Sequence, residues 1–188
     1  MYNINYGDNM NLTSLILIGI IIFSLIAICY ANIYNTMINY KLRIDTAESL
    51  IDESLRKKYD LIAKLNISIK NVIQKKDYLK EYIDLKKKRI SNYEIDRLLT
   101  EAFNIILELK NDYSELDNKE FNKGLKEIDS LNETLSSCKS YYNKNTALLN
   151  KVVRKFPSNI VAKIHKFKIK PFFDGKDMQD KIIDDFKL

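Results

Sequence analysis

This chain lacks charge over a long stretch near its N-terminus, because no Asp, Glu, Lys or Arg occurs between Asn9 and Tyr40. Inside that window, the twenty residues from Leu12 to Ala31 are almost entirely apolar. At 1.5 Å per residue, about 20 helical residues cross the hydrocarbon core of a bilayer. A helix also satisfies its own backbone hydrogen bonds there. The sequence therefore predicts one transmembrane helix at residues 12–31, preceded by a short extracytoplasmic N-terminus at residues 1–11.

Two other interpretations of the apolar segment fit its flanks less well. A cleaved signal peptide needs a positively charged start, and residues 1–11 carry only the negative Asp8. A lipoprotein would use Cys29, but the residue before such a cysteine is normally small and here it is Ile28. A retained span is the preferred interpretation, and both alternatives stay open.

Basic residues follow the apolar segment and do not precede it. Lys41 and Arg43 open the C-terminal side, whereas residues 1–11 contain no Lys or Arg. The positive-inside rule then places residues 41–188 in the cytoplasm and the N-terminus outside. We expect a single-pass protein of the cell membrane.

Proline, glycine and cysteine are scarce, and each shortage excludes a class of fold. Four glycines and two prolines disfavour a turn-rich β architecture. Both prolines lie at Pro157 or beyond, so residues 32–156 are free of proline, as long helices require. Two cysteines, Cys29 and Cys138, exclude a disulfide framework. The net charge of +6 fits solvated helix faces best and an anionic lipid surface second.

Three segments between residues 32 and 156 have apolar residues at helical spacing. The stripe of the first segment contains Ile44, Ala47, Ile51, Leu55, Ile62, Leu65, Ile69 and Val72. The second segment, residues 77–113, has Leu79, Ile83, Ile90, Leu98, Ala102, Ile105 and Leu109, and its basic middle leaves a break open. The third, residues 119–156, has Phe121, Leu125, Ile128, Leu131, Leu135, Cys138, Tyr142, Leu149, Val152 and Phe156.

Short polar connections at residues 75–76 and 114–118 make neighbouring helices antiparallel. The predicted fold is all-α: a transmembrane helix, then an antiparallel up-and-down bundle of three to four long helices at residues 32–157. In this up-down-up course, residues 114–118 lie near the bilayer and Pro157 lies far from it. Residues 158–188 form a tail with short elements, including an extended or helical stretch at 162–170 and an amphipathic turn at Ile182, Ile183 and Phe186.

The residue types that carry chemistry are nearly missing. The single histidine, His165, has no partner for nucleophilic catalysis or for a di-iron site, and no metal-binding or phosphate-binding motif occurs. We predict no catalytic, cofactor-binding or metal-binding residue. The basic run at residues 86–89 could contact nucleic acid or phosphoinositide-like headgroups, but a solvated face is the preferred interpretation, since no aromatic platform or recognised motif accompanies it. Asn35, Asn143 and Asn150, beside the apolar stripes, are predicted to bond across helices.

Three ordered groups of residues resemble the signatures of the LemA family and cover most of the chain. They comprise Tyr34-Asn35 with residues 44–65, Tyr113-Ser114-Glu115-Leu116 with Phe121 and Leu125, and Tyr142-Asn143, Leu149-Asn150 and residues 156–162. The chain departs from the family pattern at Ala63, Lys58, Ser114, Asn132 and Leu149. The resemblance implies a bacterial, membrane-anchored, antiparallel helical bundle of no established enzymatic activity.

A stiff bundle behind a span, with no chemistry of its own, predicts a non-enzymatic scaffold or adaptor at the cytoplasmic face of the membrane. The alternative is a membrane-surface or membrane-remodelling module that binds anionic lipid through basic helix faces. We expect a protein partner of unknown identity, no nucleic acid and no cofactor. A homo-oligomer stays open, because a repeat of about 3.5 residues also suits packing between chains.

Overall fold

The computed structural model describes residues 11–73, 77–84 and 90–174; most of these residues are helical and none of them lies in a strand. Five α-helices and one 3₁₀ turn follow each other along the chain. They are α1 (Leu12–Val72), α2 (Lys80–Ile83), α3 (Asn92–Asp112), the 3₁₀ turn (Ser114–Leu116), α4 (Lys119–Arg154) and α5 (Ser158–Ile164). The predicted all-α bundle is confirmed. Residues 1–10, the connection at 75–76, the basic run at 86–89 and the turn at Ile182, Ile183 and Phe186 lie outside the described residues.

Helix α1 joins the apolar segment to the bundle without a break. It is 61 residues long, and the chain offers no proline or glycine between residues 20 and 72 to end it. Its apolar N-terminal part is exposed throughout, and it is long and apolar enough to cross a membrane. From Met37 onwards the same helix buries one face, with Ile44, Ile51 and Ile62 inaccessible to solvent. One element therefore carries two kinds of apolar surface.

Helix α4 runs antiparallel to α1 and forms the largest helix pair of the bundle. Asn118 begins it, because its side-chain oxygen accepts a hydrogen bond from the amide of Phe121 at 3.0 Å. A Cβ on Gly124 would lie 2.9 Å from a methyl carbon of Leu65, so a residue without a side chain lets the two helices approach. Most of the predicted stripe is buried, Leu131, Cys138 and Val152 are half-buried, and its C-terminal end is exposed. Phe156 is 73% exposed, since α4 ends at Arg154 and the repeat stops there.

Helix α3 runs parallel to α1, which differs from the predicted course. The chain turns back after Ile73 within a short segment, where Lys70 pairs with Asp77 at 2.6 Å and Tyr59 donates to the carbonyl of Ile83 at 2.7 Å. Helix α3 then begins at the level of Ile51, with Ser91 as its N-cap. The break that the sequence left open is real. The buried face of α3 contains the predicted Ala102 and Leu109 together with Leu99, Phe103 and Ile106, whereas the predicted Leu98 and Ile105 are only partly buried.

The parallel course of α3 reverses the predicted ends of the bundle. We call the end beside the apolar segment the near end, and the end at Val72 the far end. The 3₁₀ turn lies at the far end, because the next helix begins where Lys64 pairs with Glu120 at 3.3 Å. Helix α4 descends from there, and α5 reaches Tyr30 at the near end through His165. The predicted course, which put residues 114–118 at the end beside the apolar segment and Pro157 at the opposite end, was wrong.

A charged group is buried where α1, α3 and α4 meet. Lys58 is 1% exposed, and its ammonium donates to the Thr100 hydroxyl at 3.0 Å and lies 3.8 Å from a carboxylate oxygen of Asp96. The other Asp96 oxygen accepts from Lys139 of α4 at 2.6 Å. Burial lowers the pKa of Lys58, and the Asp96 charge opposes that shift. One carboxylate therefore holds cations from two helices and fixes their register.

Candidate functional site

The C-terminal tail folds back over the near end of the bundle, and this junction is the candidate functional site. The Ser158 hydroxyl bonds to the carbonyls of Val152 and Lys155 at 2.6 and 2.7 Å, which fixes the turn between α4 and α5. Helix α5 then buries Val161 and Ala162 against the bundle. Its opposite face points away from the bundle.

Helix α5 ends in a Schellman motif that turns the chain towards α1. The amide of Phe167 donates to the carbonyl of Ala162 at 2.9 Å, and the amide of Lys166 donates to the carbonyl of Lys163 at 3.3 Å. Lys166 has φ 57°, the left-handed conformation that glycine usually adopts at this position. The turn directs the following residues back along α1 and α4.

The single histidine contacts the end of the apolar segment. His165 Nε2 lies 2.5 Å from the Tyr30 hydroxyl, and its ring centroid lies 4.4 Å from that of Tyr34. Phe167 meets the Tyr34 ring edge-on at 6.3 Å. The sequence left His165 without a partner, because Tyr30 is 135 positions away. The structure instead gives it a structural role between the first helix and the tail.

Two asparagines of α4 hold the extended tail by its backbone. Asn150 donates to the carbonyl of Lys170 at 2.7 Å and accepts from the amide of the same residue at 2.9 Å. Asn143 accepts from the amide of Phe173 at 2.9 Å. These side chains therefore bond to the tail and not to another helix as predicted, and Asn35 is exposed on α1. The tail supplies the unpaired backbone groups that a neighbouring helix does not have.

Lys170 anchors the tail to α1 by charge. Its ammonium lies 3.1 Å from Asp45 and 3.5 Å from Glu48. Burial alone would lower the pKa of Lys170, but the hydrogen bond to Asp45 and both carboxylate charges raise it. Beyond it, Phe173 packs edge-on against Tyr93 of α3 and Tyr142 of α4. The tail therefore ties three helices together.

The junction is held by ring packing, by hydrogen bonds to the tail backbone and by ion pairs. Its neighbouring groove is lined by Tyr34, Ile38, Lys41, Leu149 and the residues 165–168 with Lys170. These are aromatic, aliphatic and cationic groups, which suit an anionic or amphipathic contact. In the described part of the chain, no three His, Cys, Asp or Glu side chains are grouped as a metal site would require.

Comparison with known proteins gives one match. The model of the LemA family matches residues 47–184, which is most of the chain and includes α3, α4 and the tail. No curated protein and no solved structure matches it.

Proposed function

This chain belongs to the LemA family, and from that premise we propose that it is a membrane-anchored scaffold or adaptor without catalytic activity of its own. Residues 12–31 span the cell membrane once, with the N-terminus outside. The bundle stands in the cytoplasm and presents its outer surface to a protein partner.

The continuity of α1 is the observation that carries this proposal. A helix of 61 residues includes both the exposed apolar segment and the buried stripe of the bundle. Bundles tethered through a flexible linker sample many orientations, whereas a helix without a break transmits the orientation of the span to the bundle. At 1.5 Å per residue, the part of α1 beyond Ala31 extends about 60 Å from the membrane. A partner bound along it would be held at a defined height.

The charges along α1 and α3 favour a bundle that stands upright on the membrane. The alternative is a bundle that lies flat on anionic lipid. Three basic residues of α1 and α3 are paired with carboxylates on the same helix. The pairs are Arg56 with Asp52, Lys57 with Glu53 and Arg97 with Glu94. In the described parts of α1 and α3, such pairs place a negative charge beside these basic side chains, which weakens their attraction to a negative surface. A protein partner suits this mixed surface better.

Crosslinking in intact cells tests the adaptor role. The full chain is crosslinked and the adducts that co-purify are identified. The test variant combines Ile21→Lys with Leu25→Lys, which blocks insertion because each charge at the centre of the span costs about 2.5–3.5 kcal/mol. The matched control combines Ile21→Ala with Leu25→Ala. We expect a discrete protein adduct with the wild type and the alanine pair, and its loss with the lysine pair. An adduct that persists without insertion, or no protein adduct at all, would contradict the proposal.

A further inference from the structure

Helix α5 exposes apolar side chains on the face that points away from the bundle. Ile160 and Ile164, one turn apart, are 50% and 59% exposed, and Phe156 just before the helix is 73% exposed. The opposite face is already packed through Val161 and Ala162. The exposed residues therefore form a second apolar face that no part of the described chain covers.

The same part of the chain carries the excess positive charge of the protein. Residues 41–150 contain 21 basic and 19 acidic residues, a net charge of +2. Residues 151–173 contain seven basic residues and no acidic one. Within them, Lys155, Lys163, Lys166 and Lys168 are exposed, whereas Lys170 is held by Asp45 and Glu48. Positive charge is thus concentrated around the apolar face of α5.

The position of this surface matches the level of a membrane interface. His165, directly after α5, contacts Tyr30 and Tyr34. Tyr30 is the penultimate residue of the apolar segment, and tyrosine rings are enriched where a span meets the headgroups. The C-terminal end of α5 is therefore fixed beside the exit of the segment that we propose as the span.

We propose that residues 155–168 form an interfacial foot that binds anionic phospholipid beside the exit of α1. Phe156, Ile160 and Ile164 enter the boundary between headgroups and acyl chains, and the surrounding lysines contact phosphate groups. An apolar face flanked by lysines is what interfacial helices use, and polybasic segments are attracted to anionic leaflets. This inference rests on the proposed function, because it requires residues 12–31 to span the bilayer. It adds a second membrane contact that holds the bundle upright.

The occupant is a lipid surface and not a protein, because the residue directly after α5 contacts Tyr30 and Tyr34 at the end of the apolar segment. A protein bound to Ile160 and Ile164 would have to fit between α5 and the bilayer. Little room is left there, because the proposed span leaves the bilayer at the level of Tyr30. The tail is also held to the bundle by Asn150 and Asn143. The foot is therefore presented in one orientation before it meets lipid.

Tryptophan fluorescence tests the foot directly, because the chain contains no tryptophan. The full chain carrying Ile164→Trp is reconstituted into phosphatidylglycerol-containing vesicles with acyl chains brominated at known depths. The matched control is Ile67→Trp, since Ile67 is 63% exposed and lies near the far end of α1. We expect blue-shifted emission and strong quenching for Ile164→Trp, at a depth of about 5–10 Å, and neither for Ile67→Trp. Phe156→Trp gives a second reporter with the same expectation.

A third reporter separates failure of the foot from failure of the anchor. Phe23→Trp lies within the apolar segment, where the side chain is 72% exposed. Quenching of Phe23→Trp without quenching of Ile164→Trp and Phe156→Trp would overturn the foot and leave the anchor intact. If Phe23→Trp is not quenched either, the anchor itself is wrong. Quenching of Ile67→Trp as well would indicate a bundle lying flat, and would overturn the standing foot.

The lysines are tested in the Ile164→Trp background. Each lysine near an anionic surface changes lipid association by about fivefold, so Lys163→Gln, Lys166→Gln and Lys168→Gln together should abolish most of the quenching. The control replaces three exposed lysines of α1 and α4 by glutamine, namely Lys57, Lys64 and Lys123. We expect this control to leave the quenching unchanged. Equal quenching in both triple variants would overturn the lipid contact by charge.

Discussion

The buried cluster of Lys58, Asp96 and Lys139 gives the sharpest prediction about stability. Replacing Asp96 by alanine removes the acceptor of Lys139 at 2.6 Å and the nearby charge of Lys58 at 3.8 Å. Lys58, which is 1% exposed, then keeps only the hydroxyl of Thr100. Lys139 is partly exposed, so water can solvate its ammonium and the loss of its acceptor costs less free energy. The cost therefore comes mainly from the buried ammonium that is left without a counterion.

The magnitude follows from what each variant leaves behind. Breaking a buried pair by removing one partner costs about 3–5 kcal/mol, and the 15% exposure of the Asp96 side chain favours the lower end for Asp96→Ala. Lys58→Met removes the buried charge and keeps the volume, so we expect a change within about 1 kcal/mol, of either sign. The double variant should resemble Lys58→Met. The coupling free energy between the two sites then equals the cost of Asp96→Ala alone, about 3 kcal/mol.

Thermal unfolding of the full chain in detergent micelles, followed by circular dichroism, measures these differences. For a chain of this size, 1 kcal/mol shifts Tm by about 2–4 °C, so Asp96→Ala should unfold about 6–12 °C below the wild type. Asp96→Ala within 2 °C of the wild type, or Lys58→Met as damaging as Asp96→Ala, would refute the reasoning.

The pH dependence of the same cluster has a defined sign. The pKa of Lys58 is lower in the folded protein than in the unfolded chain, because burial disfavours the ammonium. Between the folded value and the unfolded value of about 10.4, the unfolded chain binds more protons, so stability rises with pH. We expect the wild type to gain stability relative to Lys58→Met as pH rises through that window. If the free energy of unfolding of the wild type minus that of Lys58→Met stays constant or falls as pH rises, the lowered pKa of Lys58 is contradicted.

Three further substitutions test the tail and the helix pair. Lys166→Gly relieves the left-handed conformation at φ 57° and should raise the free energy of unfolding by up to about 1 kcal/mol, measured by chemical denaturation. Asn150→Leu leaves two tail backbone groups unpaired and should cost about 1–3 kcal/mol and speed proteolysis of the tail, whereas Asn35→Leu on the exposed face should not. Gly124→Val places a Cβ 2.9 Å from the side chain of Leu65 and should lower Tm through a loss of about 1–3 kcal/mol; an unchanged Tm would contradict this close approach.

Apolar periodicity was enough to predict the buried faces of α1 and α4. The buried residues of α1 and α4 follow the predicted stripes, from Ile44 to Ile69 and from Phe121 to Leu149. Asn118, a residue type common at helix starts, makes the capping hydrogen bond of α4. Such features depend on neighbours within one or two turns, so the local sequence contains them.

The direction of α3 and the position of the tail were beyond the sequence. Loop length and polarity do not specify whether a chain returns through a long helix or a short segment, and that choice decides which end of the bundle α5 reaches. Contacts such as His165 with Tyr30 join residues far apart in the chain. One signal was present in the sequence, because residues 151–173 contain seven basic residues and no acidic side chain.

Cysteine labelling tests the central claim, that one uncut helix anchors the bundle in the membrane and carries it into the cytoplasm. The full chain with Cys29→Ser, Cys138→Ser and Glu115→Cys is expressed, and intact or permeabilised cells are treated with an impermeant maleimide. Glu115 is exposed in the 3₁₀ turn at the far end. We predict full-length protein in carbonate-washed membranes, labelled only after permeabilisation. A shortened soluble product, or labelling of intact cells, would contradict the account.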